Sequence, residues 1–218
     1  PGRQLPAERH PSPVPGATNS TFVAMTAEPS DERIRPTEPR IEPLTEFDGE
    51  LAEIMATALT HDGRPLNIFG TLGKHPKLLK RFNLLGGFLL NKGVLPARER
   101  ELVILRVGAN ARAEYEFGQH TVIGRDCGLM DDEIAALTHA PDRHDWSADD
   151  LALIALADEL HADDCVTDAT WSDLARRWDD AQLVELLVVA GFYRLVSGFL
   201  NSTGVQLDDG IPGFPATE

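Results

Sequence analysis

Sulfur is scarce in this chain: among 218 residues only Cys127 and Cys165 are cysteine, and they form neither a C-x-x-C pair nor part of a metal-ligand cluster. Structural disulfides and a cysteine-based zinc site are therefore not expected, and this usage fits a reducing compartment such as the cytoplasm. Basic residues are also few, 20 Lys and Arg against 35 Asp and Glu, for a formal charge of −15. A surface of that sign repels phosphate backbones and anionic headgroups, so neither nucleic acid nor a membrane surface is an expected partner. No uninterrupted apolar run approaches the roughly 20 residues that a membrane helix needs. Near the start there is no basic stretch leading into an apolar segment and a small-residue cleavage site, so no secretion signal is read. No run of alternating β-branched residues between turn signals argues for a sheet. What is present, 42% hydrophobic and 25% charged residues, is ordinary for a soluble globular protein long enough for one domain with a proper core.

Most of the fifteen prolines fall within residues 1–43, which show neither helical nor strand periodicity. That stretch reads as an unfolded arm, with Met25 as a candidate natural start. From about Leu44 the pattern is helical, and residues 44–218 form the expected single domain. Phe47, Leu51, Ile54, Met55, Ala58 and Leu59 recur at spacings of three and four, as in an amphipathic helix. His75-Pro76-Lys77 opens a second helix with Leu78, Leu79, Phe82, Leu85 and Leu89 as its apolar stripe. Another starts at Leu95-Pro96-Ala97 and loosens near Gly108-Ala109-Asn110, after which a helix over Ala113–Cys127 is closed by Gly128. Asp131-Asp132-Glu133 then opens a short helix with acidic residues at its positive end. Helices over Leu151–His161, Asp168–Trp178 and Leu183–Leu200 complete the chain. A shift of 81 positions lays Leu102, Val103, Leu105 and Val107 on Leu183, Val184, Leu186 and Val188, and His120 on Asn201. This is a weak internal repeat, of a kind that any two buried helices can also produce.

The chemistry concentrates in residues 99–120, ERELVILRVGANARAEYEFGQH. Glu116 and His120 stand four apart and so share a helix face, where a carboxylate can orient the ring and hold its charge. Glu101, from the preceding helix, can face the same pocket. His120 suits proton transfer because an imidazole titrates near pH ~6.5. The plainer reading of each is structural: a surface Glu–His pair, and an ion pair of Glu101 with Arg98 or Arg100. Two carboxylates and a His can also hold a divalent ion, but the spacing is Glu-x-x-x-His rather than Glu-x-x-His, and Asn201 replaces the His in the second half. No metal is therefore expected. Arg106 and Arg112 are candidate anchors for a substrate carboxylate, and Tyr193 is a candidate pocket wall. Trp171, Trp178, Phe192, Tyr193 and Phe199 read most simply as core, with Tyr193 or Phe199 as the alternative pocket wall, and His139, His144 and His161 as surface.

This window resembles the carboxymuconolactone decarboxylase family, which includes the alkylhydroperoxidase D proteins. Glu101 lies nineteen positions before His120, a separation similar to the family's, and His75-Pro76, Arg98 to Leu102 and Gly128-Leu129 match its style. The likeness extends over about Phe69–Leu137, more weakly over Leu151–Val205. It implies an all-α, alkylhydroperoxidase D-like bundle of six to eight helices with a weak internal duplication, assembled as a homo-oligomer. It also implies a cofactor-independent decarboxylase, or a related lyase or isomerase, acting on a small organic acid or lactone through His120, Glu116 and Glu101. The family's peroxidase branch carries two cysteines where this chain has Ala113 and Glu116, and neither side chain can supply sulfur chemistry. Cys127 would stand roughly 10 Å along a helix from His120, so thiol peroxidase activity is rejected here. A non-catalytic, oligomeric ligand-binding protein remains an alternative, since fold alone does not decide function.

Overall fold

The structure, a computed structural model, describes residues 35–139, 141 and 144–216. Residues 1–34, most of the expected arm together with Met25, lie outside the described residues. Residues 35–43 follow an irregular path held to the body: Arg40 N–H donates to Thr203 O, and the Arg35 guanidinium donates to Ala111 O.

Among the described residues the chain forms nine helices and one small hairpin: α1 Gly49–Met55, β1 Thr60–His61, β2 Arg64–Pro65, α2 Asn67–Leu72, α3 Pro76–Asn91, α4 Ala97–Asn110, α5 Glu114–Asp126, α6 Asp131–His139, α7 Ala148–Asp163, α8 Asp168–Leu174 and α9 Asp180–Thr203. The hairpin is the departure from the all-helical reading. It cuts the first expected helix at Met55, because Asp62 and Gly63 both take left-handed φ values, 49° and 76°, as a two-residue Asp-Gly loop requires. Helix starts follow familiar capping chemistry. Pro76 sits at the first position of α3, while Ser147, Thr167 and Asp179 accept hydrogen bonds from first-turn amides, and Asp179 with Gln182 completes a capping box.

The centre of the bundle is α4, which packs on α5, α6, α7 and α9. Residues 100–105 are all buried, so α4 is enclosed on every side, the condition under which an amphipathic stripe disappears. Leu102, Val103, Ile104 and Leu105 are 0% exposed and join Phe117, Leu137, Leu153, Leu156, Leu174 and Leu186 in the main core. A second apolar cluster joins α1, α2, α3 and the end of α9 through Met55, Phe69, Leu79 and Leu200. The carboxylate of Glu185 on α9 accepts from the amides of Val94 and Leu95 and so fixes the entry to α4.

Several expectations for individual side chains change. Of the predicted α3 stripe only Leu79 and Leu89 are fully buried; Leu78 and Leu85 are exposed, as is Trp171, whereas Trp178 is core. α8 stops at Leu174 rather than running to Trp178. In the proposed repeat, Val184 and Val188 face outward where Val103 and Val107 face inward, and α9 continues unbroken where its counterpart divides into α4 and α5. By length and composition α9 is long and apolar enough to cross a membrane; half of its most apolar stretch is buried within the bundle.

Candidate active site

The break between α4 and α5 sets the site's geometry. Arg112 adopts φ 49°, a left-handed value more commonly taken by glycine at a helix end, and reverses the chain so that α5 packs back along α4. The exposed helix-end carbonyl of Ala111 is satisfied by the Asn201 amide at 2.9 Å and by Arg35 at 2.9 Å. Asn201, which the repeat aligns with His120, thus serves as a cap. At the far end, Gly124 lets the helices approach: a Cβ there would stand 3.2 Å from Leu105 and 3.1 Å from Leu129. Glu101 and His120 meet in that close contact.

Their side chains form a line of alternating charge. Arg100 Nε donates to Glu101 Oε1 at 2.9 Å; His120 Nδ1 donates to Glu101 Oε2 at 2.6 Å; His120 Nε2 faces Glu116 Oε1 at 3.3 Å. All four residues are buried, Glu101 completely. Because a carboxylate faces each ring nitrogen, both nitrogens serve as donors and the ring is held as imidazolium. Burial opposes that charge, but the charges and hydrogen bonds of Glu101 and Glu116 outweigh it and push the His120 pKa up to about 10. For Glu101, burial favours the neutral acid, yet the charges and hydrogen bonds of His120 and Arg100 prevail and hold its carboxyl below the ordinary range. Among the described residues no group of three or more His, Cys, Asp or Glu is placed to hold a metal ion. The ring has no free lone pair to offer one.

Only the outer end of this line reaches a cavity. Glu116 and His120 line a pocket of about 150 Å³ between α3, α5 and α9. A water molecule needs roughly 10–15 Å³ on such a measure, so there is room for a small organic molecule. Its walls are chiefly apolar, with Leu66, Ile68, Phe82, Leu90, Phe192 and Val196. The Tyr193 ring meets His120 edge-on at 4.9 Å, and burial, then the charges of Glu116 and Glu101, raise its pKa so that it stays a neutral phenol. At the floor, Tyr115 OH and Gln119 Nε2 donate to Asp208 Oδ2 at 2.6 and 2.7 Å, and Asp208 Oδ1 accepts from Asn67 N, which ties the C-terminal segment to α5 and α2.

Of the residues singled out from sequence, Glu101, Glu116, His120 and Tyr193 converge. Arg106 and Arg112 do not. The Arg106 guanidinium is engaged by Asp158 and by Leu137 O, and Arg112 lines a separate surface hollow with Arg35 and Asn201. The sequence reading missed Asn83 and Gln119; of its two candidate ion-pair partners for Glu101, Arg100 is the one that pairs, while Arg98 is held by Asp150 and Glu133. Neighbours in sequence rarely face one another on a helix, so the Arg100–Glu101 contact had no periodic signal. Asn83 sits on α3 with both amide atoms buried and unpartnered, and it too lines the cavity. Cys127 closes α5 and Cys165 lies exposed beyond α7; both are free thiols. Burial and the Glu101 charge raise the Cys127 pKa, away from a reactive thiolate.

The chain is thus an all-α protein with an alkylhydroperoxidase D-like fold and a buried Glu–His–Glu line opening on its cavity. The sequence profile of the carboxymuconolactone decarboxylase family matches residues 76–159, a segment that holds α3 to α5 and the whole charged line. Solved structures share the fold at low identity. An alkylhydroperoxidase AhpD core, an uncharacterized peroxidase-related protein from Ralstonia eutropha JMP134, superposes with a TM-score of 0.69 at 19% identity over 81% of this chain and 95% of its own. A peroxidase-related protein from Silicibacter sp. TM1040 gives 0.69 at 15% identity over 83% and 97%. A cysteine-to-alanine variant of the debrominase Bmp8, in complex with 2,3,4-tribromopyrrole, gives 0.59 at 15% identity over 73% and 82%. No curated protein matches the chain by sequence.

Proposed function

We propose that this protein is a cofactor-independent acid–base enzyme, a decarboxylase or a related lyase or isomerase, acting on a small organic acid or lactone. The observation that carries the reading is the line Glu101–His120–Glu116, with Glu101 sealed inside and Glu116 and His120 on the cavity. Glu116 is the group placed to exchange a proton with a bound molecule, and His120, 3.3 Å from Glu116 Oε1, holds its orientation. Glu101, backed by Arg100, holds the ring; it is a positioning residue. The chiefly apolar wall strengthens these electrostatic interactions.

Sulfur chemistry is not part of this proposal. By the family resemblance Ala113 and Glu116 stand where the peroxidase branch has its cysteines, and Cys127 and Cys165 form no C-x-x-C pair. Peroxide consumption abolished by Cys127→Ser would overturn that exclusion. We also propose a homo-oligomer, supported by the exposed apolar faces of α3 and α9.

Proton transfer can be tested without knowing the physiological substrate. Incubated in D2O with a panel of small lactones, ketones and keto acids, the wild-type protein is expected to place deuterium on carbon in at least one member, read by NMR. Glu116→Gln and His120→Gln should slow that exchange by about 10²- to 10⁴-fold, the range general acid–base groups supply. Equal exchange in folded variants, or none by the wild type across the panel, defeats the reading.

A further inference from the structure

We infer that the cavity selects uncharged molecules, so that within the acid–base reading on which this rests the substrate is a neutral, largely apolar carbonyl compound such as a lactone, and not a free carboxylate. Recognition of a small carboxylate ordinarily uses a guanidinium or ammonium. Among the described residues no Lys or Arg lines this cavity. Arg106, one of the two cations offered by the neighbouring sequence, is held by Asp158, and Arg112 belongs to a different hollow. The remaining cation, the His120 ring, is matched by a carboxylate on each nitrogen. Arg100, Glu101, His120 and Glu116 therefore sum to zero charge, and the member at the cavity end is negative.

A substrate carboxylate placed about 5 Å from Glu116 would meet a like charge; at an effective permittivity near 20, with the His120 charge behind it offsetting part of the repulsion, this weakens binding on the order of tenfold. The polar group left for a ligand is neutral. Asn83, which also lines the cavity, has both its amide nitrogen and oxygen buried with no partner. Buried polar atoms are seldom left so, and a carbonyl beside the cavity would accept from Asn83 Nδ2. The Gln119 amide nitrogen, by contrast, is already committed to Asp208. This selection favours proton shifts in carbonyl compounds over loss of carbon dioxide from a free acid.

The test uses one carbon skeleton in two charge states, phthalide and its ring-opened salt 2-(hydroxymethyl)benzoate, titrated against the protein near pH 7.5 by ligand-observed NMR. The lactone is expected to bind at least tenfold more tightly. Glu116→Gln should raise carboxylate affinity by tenfold or more, and Asn83→Leu should weaken the lactone alone. The wild-type comparison decides even if a variant fails to fold: equal or tighter binding of the carboxylate, or no binding of either at millimolar concentration, overturns the inference. Lactone preference without deuterium exchange anywhere in the panel would sink the catalytic reading and leave this one standing. Exchange on a tightly bound carboxylate would do the reverse.

Discussion

His120 gains a proton on folding that the unfolded chain would not hold at the same pH. In the unfolded chain an imidazole releases its proton near pH 6.5, and in the folded protein near 10. Between those values the folded state binds the extra proton, so stability is present in full below about 6.5 and falls as pH rises toward 10. Glu101 works in the other direction: its depressed pKa contributes above the ordinary carboxylate range and is lost as pH falls through the folded value. Urea unfolding from pH 6.5 to 10 should show declining stability in the wild type and a flatter profile in His120→Gln. A wild-type profile without slope would contradict the doubly paired ring. Arg100→Met, which leaves Glu101 buried with one partner fewer, is expected to cost about 3–5 kcal/mol by the same measurement.

Between helices the decisive residues are small. At Gly118 on α5 a Cβ would collide with the carbonyl oxygen of Pro212, and Phe214 packs on Phe117 at 4.9 Å, so the C-terminal segment lies directly on the helix that carries Glu116 and His120. A methyl at Gly118 must push that backbone away, as must one at Gly93 against the Glu185 carboxylate. Gly118→Ala should destabilise by about 1–3 kcal/mol, the usual range for overpacking. It should also make the bonds around residues 205–214 more accessible to limited proteolysis. Unchanged stability and unchanged cleavage would mean that the segment is not held against α5.

For the whole molecule, two helix faces depart from the acidic average. Val184, Val188 and Leu195 are 63%, 41% and 59% exposed along one side of α9, and Leu84, Leu85 and Phe88 are 76%, 41% and 47% exposed on α3. Exposed apolar helix faces of this kind are commonly covered by another chain. Sedimentation at micromolar concentration should therefore report more than one chain per particle, and Val188→Asp with Leu195→Asp should reduce it. A wild-type monomer would end the homo-oligomer proposal.

Periodicity and turn chemistry were enough to read most helices. Pro76, the acidic start at Asp131 and Gly128, with φ 98°, act locally, so their signals survive in one dimension. The Asp62-Gly63 hairpin was equally local and was overlooked beside the stronger helical spacing. Glu116 and His120 were legible because four residues make one helical turn. The span from Glu101 to His120 was legible only through the family likeness, since nothing in a single chain states how two helices cross. What the sequence by itself determined is therefore the all-α class and the residue types available for proton transfer. Only the tertiary structure decided which charges meet. Arg106 is drawn to Asp158 and Arg100 to Glu101, Asn201 caps a helix, and Asn83 and Glu116 come to one cavity. Charge pairing and burial act over a few ångströms in space, whatever the separation along the chain.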